Sequence, residues 1–346
     1  MRFSLVIILA SVGFSYAGKF KNIEDRWSFD LGDFDYPDWM SNIDDNVLLS
    51  TLSIPGTHNS MTAEVENSLT HTQNKHLSQQ LTGGIRYVDI SCHLEDVLNT
   101  MFNFLDEHPR EALILRIQKG GIVGDSKKLV QFIEQYFAPN SEMGHRVAKR
   151  IYFRNSGDTS IPTLGEVRGK IFILQDFKSS QSALYGIPWN SDTVSSYSYR
   201  IASGTLFLGR KWKGVRSHLS QNRPEDFNKL RITHTTASAG VRPINIATKN
   251  IPGAGMNTLL GRYLMFGEGD CFGIIVMDFP GRYLVEYILE LNKQYLVPEL
   301  PSSPFAPSAP PLPQWSEDVA FDSEAFTLDA SFDEYGDAAA TDVLVR

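Results

Sequence analysis

The sequence predicts an α/β fold in which strands and helices alternate around a parallel sheet. Short apolar runs of strand length recur along the chain, and segments with the apolar spacing of helices stand between them. With 346 residues, 42% of them hydrophobic, the chain is long enough for one barrel-sized domain or two smaller ones. Strands that alternate with helices in this way indicate a parallel sheet.

The first predicted strand is the apolar run over residues 49–54, which has the usual length of a strand. Pro55 and Gly56 follow it, and we interpret them as the turn that ends the strand. His58, with Asn59 beside it, then stands just past the carboxyl end of the strand. Because catalytic residues of parallel α/β barrels lie at that face, His58 is the first candidate for catalysis.

The remaining elements follow in order along the chain. Strands are predicted over 85–90, 112–117, 170–174, 230–235 and 273–278, and helices over 94–105, 127–137 and 283–291 and within 202–219. In the clearest helix, 94–105, apolar residues recur at i, i+3, i+4, i+7 and i+11. This helix is expected to stop before Pro109.

Several motifs together resemble the phosphatidylinositol-specific phospholipase C X-domain family. They are S-I-P-G-T-H-N-S at 53–60, T-Q-N at 72–74, G-I-R-Y-V-D-I at 84–90, E-H-P-R-E-A-L-I at 107–114, R-G-K-I at 168–171 and G-I-I-V-M-D-F at 273–279. Their order and approximate spacing follow those of the family, from about residue 39 to residue 292. The resemblance implies a TIM-type (β/α) barrel and a phosphoric diester hydrolase that cleaves phosphatidylinositol to diacylglycerol and inositol (cyclic) phosphate.

The resemblance also assigns catalytic roles to three residues near strand ends. His58 matches the family's general base, and an imidazole suits this task because its reference pKa of about 6.5 is close to working pH. Asp278, at the end of the last strand, matches the carboxylate that orients this histidine. Since the first and last strands adjoin in a closed barrel, we expect the two residues to lie side by side. Asp89 matches the family's second-strand acid, which contacts the 2-hydroxyl of inositol or a metal.

Substrate contacts are assigned to Asn59 and Lys119. Asn59 stands where an asparagine binds calcium in calcium-dependent relatives, so no cofactor is expected unless the protein uses calcium, with Asn59 and Asp89 as its ligands. Both residues are equally explained as polar residues that cap strand ends. Lys119 matches a lysine that contacts phosphate in bacterial relatives, but Gln118 takes that place if the alignment shifts by one residue.

Two family features are missing after Asp89. Where bacterial relatives have arginine and calcium-dependent relatives have aspartate, this chain has Ser91. Only six residues separate Asp89 from Asp96, too few for the third strand and the His-Gly end that carries the family's general acid. A barrel that lacks or distorts its third strand is therefore an open alternative, with unpaired edges and poor folding as its expected result. The alternative function is a secreted, catalytically impaired pseudoenzyme that binds inositol phosphate or lipid headgroups.

Two histidines are considered as replacements for the missing acid, and a third is considered separately. His93 is expected at the start of a helix and His108 at its end, and neither position suits a catalytic acid. His234 is predicted to lie on a strand, and a side chain that points into the barrel mouth is an open alternative for it. We interpret it as a core histidine whose hydrogen bonds are satisfied within the protein.

The two ends of the chain differ from its middle. In residues 1–17, a basic Arg2, an apolar stretch and the cleavage pattern Ser15-Tyr16-Ala17 predict a signal peptide, and hence a secreted, extracellular protein. Residues 18–46 are interpreted as a lead-in and residues 47–298 as the barrel. Residues 299–346 form a proline-rich segment and then an acidic tail, which we expect to be disordered.

The net charge of −8 lies entirely in this tail, because residues 301–346 contain nine acidic residues and one basic residue. The rest of the chain is balanced in charge and offers no basic surface for nucleic acid and no polybasic membrane patch. We expect a monomer whose partner is a phospholipid or inositol-phosphate substrate, reached by transient contact with a membrane surface.

Overall fold

A parallel sheet of eight strands forms the centre of the described part of the protein in a computed structural model. The structure describes residues 26–31, 35–91, 93–119, 126–154, 157–178, 185–199, 208–221, 227–237, 241–248, 254–266, 269 and 271–297. The strands are β1 (Ile54–Thr57), β2 (Tyr87–Ile90), β3 (Leu113–Gln118), β4 (Ile171–Asp176), β5 (Ile187–Pro188), β6 (Val194–Tyr197), β7 (Leu230–His234) and β8 (Ile274–Met277).

Helices stand between most of these strands. In the described residues they are α1 (Leu77–Thr82), α2 (Leu94–Glu107), α3 (Ser126–Tyr136), α4 (Glu142–Arg150), α5 (Leu164–Val167), α6 (Leu208–Leu219), α7 (Pro243–Thr248), α8 (Met256–Phe266) and α9 (Arg282–Glu290). The predicted helices over 94–105, 127–137 and 283–291, and the one within 202–219, correspond to α2, α3, α9 and α6. The two-residue β5, together with β6, α4, α5, α7 and α8, was not predicted.

The strands run in the order β5-β4-β3-β2-β1-β8-β7-β6, and each paired neighbour is parallel. The first and last strands therefore adjoin, with Thr57 opposite Met277. Among the described residues, β5 and β6 are the two end strands of the sheet and do not pair with each other, so the barrel is nearly closed. The predicted TIM-type (β/α) barrel is confirmed.

The two faces of each strand have different neighbours. Inward residues such as Ile114, Phe172 and Val276 pack with one another inside the barrel. Outward residues such as Val88 and Leu115 pack against the apolar face of helices, as predicted for α2 from its spacing. This alternation of period two fixes which side chains reach the interior at the carboxyl ends of the strands.

The predicted start of the first strand was wrong. Leu49–Thr51 form one turn of 3₁₀ helix, and β1 begins only at Ile54. Pro55 and Gly56 thus lie inside the strand and do not end it. A Cβ atom at Gly56 would stand 2.7 Å from Cδ1 of Tyr87, so glycine is required for β2 to approach β1. His58 follows β1 directly.

The missing strand does not leave β2 unpaired, and the unpaired edges among the described residues are those of β5 and β6. Between Ile90 and Leu94 no strand occurs in the described residues, which exclude only position 92 there, so the segment is as short as predicted. However, β2 pairs directly with β3 along its whole length, from Tyr87 opposite Ile114 to Ile90 opposite Ile117. The sheet still has eight strands because β5 and β6 both belong to it.

The chain ends were predicted from residues that largely lie outside the described part. This holds for the signal peptide over 1–17 and for the tail over 299–346. In the lead-in, Trp27 is buried and packs on Tyr287 of α9, and the backbone N–H of Met40 donates to Glu111. None of the helices in the described ranges has the length and apolarity that a membrane span requires.

Candidate active site

Polar side chains collect inside the barrel at the carboxyl ends of its strands, above an apolar interior. We call this group the mouth cluster. Its members are His58, Asp89, Arg116, Gln118, Asp176, Trp189, His234 and Asp278. The carboxyl ends of barrel strands are where the active sites of this fold are built.

His58 and Asp278 form a direct pair at the closure of the barrel. Nδ1 of His58 lies 3.0 Å from Oδ1 of Asp278, and the other carboxylate oxygen accepts the backbone N–H of Ala237 at 2.8 Å. Since the carboxylate can only accept, Nδ1 carries the proton and Nε2 is left to take one from a substrate. The side chain of Asp278 is 1% exposed and that of His58 is 20% exposed, so the base is open to solvent while its partner is not.

The pKa of His58 is raised above its ordinary value. Burial opposes the charged imidazole and lowers the pKa, but the neighbouring carboxylate of Asp278 outweighs burial, and Asp89 acts in the same direction. A raised pKa makes His58 a stronger base once it is neutral.

A backbone clamp fixes the loop that presents His58. The amide of Gln73 donates to the carbonyl oxygens of His58, at 2.9 Å, and of Met277, at 3.0 Å. The hydroxyl of Thr72 donates to the His58 carbonyl as well, at 2.9 Å. The motif at 72–74 therefore joins the ends of β1 and β8 and holds the base and its carboxylate in register.

Asp89 and Arg116 form the second pair of the cluster. Nη1 of Arg116 donates to Oδ2 of Asp89 at 3.1 Å, and Nη2 donates to Asp176 at 2.6 Å. The amide of Gln118 donates to the remaining oxygen of Asp89 at 2.8 Å. Burial raises the pKa of Asp89, although Arg116 and His58 oppose this shift. Burial also opposes the charge of Arg116, but Asp89, Tyr87 and Asp176 together outweigh it and the pKa of the guanidinium is raised.

An aromatic wall lies beside this pair. The guanidinium carbon of Arg116 stands 3.8 Å from the ring centre of Trp189, and the ring of His234 meets the same indole at 6.3 Å and 74°. His234 also meets the ring of His58 at 6.2 Å and 87°. The interpretation of His234 as a satisfied core histidine does not fit, because its Nε2 has no hydrogen-bond partner among the described residues.

The structure brings together three of the five residues assigned from the sequence: His58, Asp278 and Asp89. Asn59 follows His58 with a backbone φ of 42°, half-buried. Among the described residues, no hydrogen bond or ion pair joins the side chain of Lys119 to the mouth cluster. Gln118, the residue of the shifted alignment, contacts Asp89 instead.

Sequence reasoning missed Arg116 and Trp189. The sequence did contain an indication for Arg116, because this residue shares the inward face of the largely apolar β3 with Ile114 and Gln118. Trp189 follows the two-residue β5, and no sequence pattern indicated it. The remaining candidates lie elsewhere: His93 caps α2 with its side chain 59% exposed, and His108 ends the same helix and bonds Asp38.

The residues present do not fit a calcium ion. Both carboxylate oxygens of Asp89 are engaged by Gln118 and by the cationic Arg116, and a guanidinium in that place repels a divalent cation. Among the described residues, no group of three or more His, Cys, Asp or Glu side chains is placed to hold a metal. These residues therefore do not offer a binding site for calcium.

Comparison with known proteins gives bacterial relatives. The 1-phosphatidylinositol phosphodiesterase of Listeria monocytogenes is 29% identical over 293 residues, covering 74% of this chain and 84% of the relative. The enzyme of the same name from Staphylococcus aureus (strain Newman) is 26% identical over 202 residues, covering 49% of this chain and 62% of the relative. No family model matches the chain.

Solved structures agree with these relatives. The phosphatidylinositol-specific phospholipase C from Listeria monocytogenes superimposes with a TM-score of 0.60 and 26% identity, over 75% of this chain and 99% of the other. The F249X mutant of the Staphylococcus aureus phospholipase C superimposes with a TM-score of 0.56 over 76% and 100% of the two chains, and at 19% identity it shows likeness of fold only.

Proposed function

On the confirmed resemblance of this chain to the phosphatidylinositol-specific phospholipase C family, a family of enzymes, we propose that it is a phosphodiesterase acting on phosphatidylinositol. The products are diacylglycerol and inositol (cyclic) phosphate. The observation that carries the proposal is the 3.0 Å contact between Nδ1 of His58 and Oδ1 of Asp278 at the barrel mouth.

In this proposal His58 is the general base. Its Nε2 takes the proton of the inositol 2-hydroxyl, whose oxygen attacks phosphorus. The bond from phosphorus to the glycerol oxygen breaks, and that oxygen takes a proton from water to give diacylglycerol. Asp278 holds the Nδ1–H tautomer and stabilises the imidazolium that forms, as the carboxylate does in a hydrolase triad. The proposal needs no further group to activate the attacking hydroxyl.

Arg116 supports the proposal, because it supplies a cation beside the base that the sequence did not predict. Its guanidinium is held by Asp89 and Asp176, yet its Nε has no hydrogen-bond partner among the described residues. A fixed positive charge in a partly buried site stabilises the charge that develops on phosphate oxygens. We assign this role to Arg116 in place of the residue expected at Ser91.

The assay that tests the function measures release of cyclic inositol phosphate from vesicles of phosphatidylinositol and phosphatidylcholine. Wild-type protein is compared with His58→Gln and with His76→Gln, an exposed histidine outside the mouth cluster. Turnover by wild type and His76→Gln, and its loss by at least about 10²-fold in His58→Gln, supports the proposal. Turnover that His58→Gln leaves unchanged contradicts it.

A second candidate function is the catalytically impaired pseudoenzyme that binds inositol phosphate or lipid headgroups. One observation favours it: no strand with a histidine at its end follows β2 before α2 in the described residues. Loss of a positioned general acid typically costs about 10²–10⁴ in rate. Binding of inositol phosphate by wild-type protein without any turnover of phosphatidylinositol is the result expected for this candidate.

We also propose secretion and transient membrane contact. The support for secretion is the pattern of residues 1–17, and the support for membrane contact is the lipid nature of the proposed substrate. Expression with the native amino terminus and sequencing of the protein recovered from the medium tests the first proposal. A mature chain that starts at Gly18 is expected.

A further inference from the structure

His234 has an unusual position for a buried histidine. It ends β7 on the inward face, in line with Leu230 and Ile232, and it is 2% exposed. Its ring lies edge-on to those of His58 and Trp189, so it borders the same space as the proposed base. Among the described residues its Nε2 has no partner, which is rare for a buried polar atom in a native protein.

The electrostatic surroundings keep this ring neutral. Burial lowers the pKa of His234 well below its ordinary value, and Arg116 of β3 and His58 after β1 act in the same direction. Lys211 and His218 of α6 add to the shift from the other side of the strand. A neutral imidazole presents one ring N–H as a hydrogen-bond donor and carries no charge.

We propose that His234 is a substrate-binding residue that donates a hydrogen bond from Nε2 to an oxygen of the substrate phosphate. The identity of the ligand rests on the proposed function, whereas the observation that Nε2 is buried without a partner among the described residues does not. His58 takes a proton from the hydroxyl that attacks phosphorus, so the phosphate must lie next to His58, and the ring of His234 borders that place. Occupation by phosphate gives Nε2 the partner that the protein does not provide.

The alternative acceptor is a hydroxyl of the inositol ring, and the probes separate the two. Calorimetry measures the affinity of myo-inositol 1-phosphate and of myo-inositol for wild type, His234→Gln and His234→Leu. Glutamine keeps an N–H near the position of Nε2, and leucine fills the space without a donor. His93→Gln, an exposed histidine at the start of α2, is the matched control.

We expect leucine to weaken binding of inositol 1-phosphate by about 10-fold or more and to leave inositol affinity unchanged, because only the phosphate contact is lost. Glutamine is expected to stay within about threefold of wild type, and so is the His93 control. Equal weakening of both ligands by leucine, a glutamine variant as weak as leucine, or a leucine variant as tight as wild type overturns the proposal.

A second measurement uses wild-type protein alone, so it does not depend on whether a variant folds. In wild-type protein with ¹⁵N-labelled histidine, addition of inositol 1-phosphate is expected to shift the Nε2 resonance of His234, and addition of inositol is not. An unshifted resonance overturns the proposal. Both readouts are independent of turnover, so a protein that binds as expected but cleaves nothing refutes only the proposed function.

Discussion

Asp89 and Arg116 lie directly opposite each other on β2 and β3, with Oδ2 and Nη1 3.1 Å apart. The two residues meet because β2 pairs with β3 without a strand between them. In consequence, a cation from β3 lies beside Asp89, whereas the family resemblance led us to expect a charged residue two positions after Asp89. The short connection between β2 and α2 thus leaves β2 next to β3 and creates this pair.

Removal of Arg116 is expected to destabilise the protein. Arg116→Leu leaves the fully buried carboxylate of Asp89 with Gln118 as its one remaining side-chain donor among the described residues. Breaking a buried ion pair from one side typically costs about 3–5 kcal/mol. Asp89→Asn in the same protein removes the buried charge, so the double variant is expected to lose less than the sum of the single variants. Urea unfolding of the four proteins measures the coupling, and additive losses contradict it.

The pairing of His58 with Asp278 is the part of the site that sequence could predict. It depends only on the closure of the barrel, which brings the first and last strands together across 220 positions. Arg116 could not be predicted in the same way. Its role depends on which strand lies next to β2, and the spacing after Asp89 left a missing and a distorted third strand as open alternatives.

The fold shows a similar division. Long periodic helices such as α2 were predictable, because a stripe of apolar residues must face the sheet. The bounds of β1 were not predictable in this way. Pro55 and Gly56 favour a turn locally, whereas the barrel needs glycine where Tyr87 packs. The two-residue β5 is too short to carry any periodic signal.

Replacement of Asp278 by asparagine is expected to change both the rate and its pH dependence. In the wild type the carboxylate raises the pKa of His58, so the neutral base forms only at higher pH. In Asp278→Asn burial and Arg116 lower the pKa and Asp89 alone of the neighbouring groups named opposes them, so the acidic limb of the kcat/KM profile moves to lower pH. The rate at the plateau falls by about 10²–10⁴, because the amide does not hold the required tautomer.

Profiles of the wild type, Asp278→Asn and Asp176→Asn between about pH 5 and 9 test this expectation. Asp176 contacts Arg116 and is not among the groups that shift the pKa of His58 most, so its variant should keep the acidic limb in place. A limb that stays fixed in Asp278→Asn, or moves to higher pH, shows that His58 is not the group that titrates.

Calcium is expected to leave the reaction unchanged. The oxygens of Asp89 already accept hydrogen bonds from Gln118 and Arg116, and a calcium ion there would have to displace the guanidinium. Initial rates with a chelator and with added calcium should agree within about twofold, measured on vesicles without anionic lipid other than the substrate. A rate that depends on calcium in wild type and not in Asp89→Asn would place the metal at this residue.

Gly56→Ala is expected to affect the fold and the site together. The new Cβ would lie 2.7 Å from Cδ1 and 2.8 Å from Cβ of Tyr87, and overpacking of this kind costs about 1–3 kcal/mol. Because His58 follows two residues later, a shift of about 1 Å at the strand end would lower kcat by about 10²-fold. Tyr87→Val makes room for the methyl group, so the double variant should lose less stability than the sum of the two single variants. Losses that add up would mean that β1 moves freely to accommodate the methyl group.

His218 is expected to make the protein less stable in acid. It lies under β6 and β7, where Nδ1 contacts the hydroxyl of Thr233 at 2.7 Å, and burial lowers its pKa to about 4, with Arg231 acting in the same direction. Because its ordinary pKa is 6.5, the unfolded chain binds more protons than the folded protein between about pH 4 and 6.5. The stabilising contribution is therefore complete above pH 6.5 and is lost as the pH falls towards 4.

Urea unfolding at about pH 7.5 and pH 4.5 measures this loss, which from the shift amounts to about 2–3 kcal/mol for His218 alone. His218→Gln keeps a polar side chain without a titrating group, so its stability should fall by that much less over the same interval. His234 titrates in the same direction in both proteins and cancels in the comparison. If the two proteins lose equal stability between the two pH values, His218 is already protonated in the folded protein at pH 4.5, and the acid sensitivity of the barrel comes from other groups.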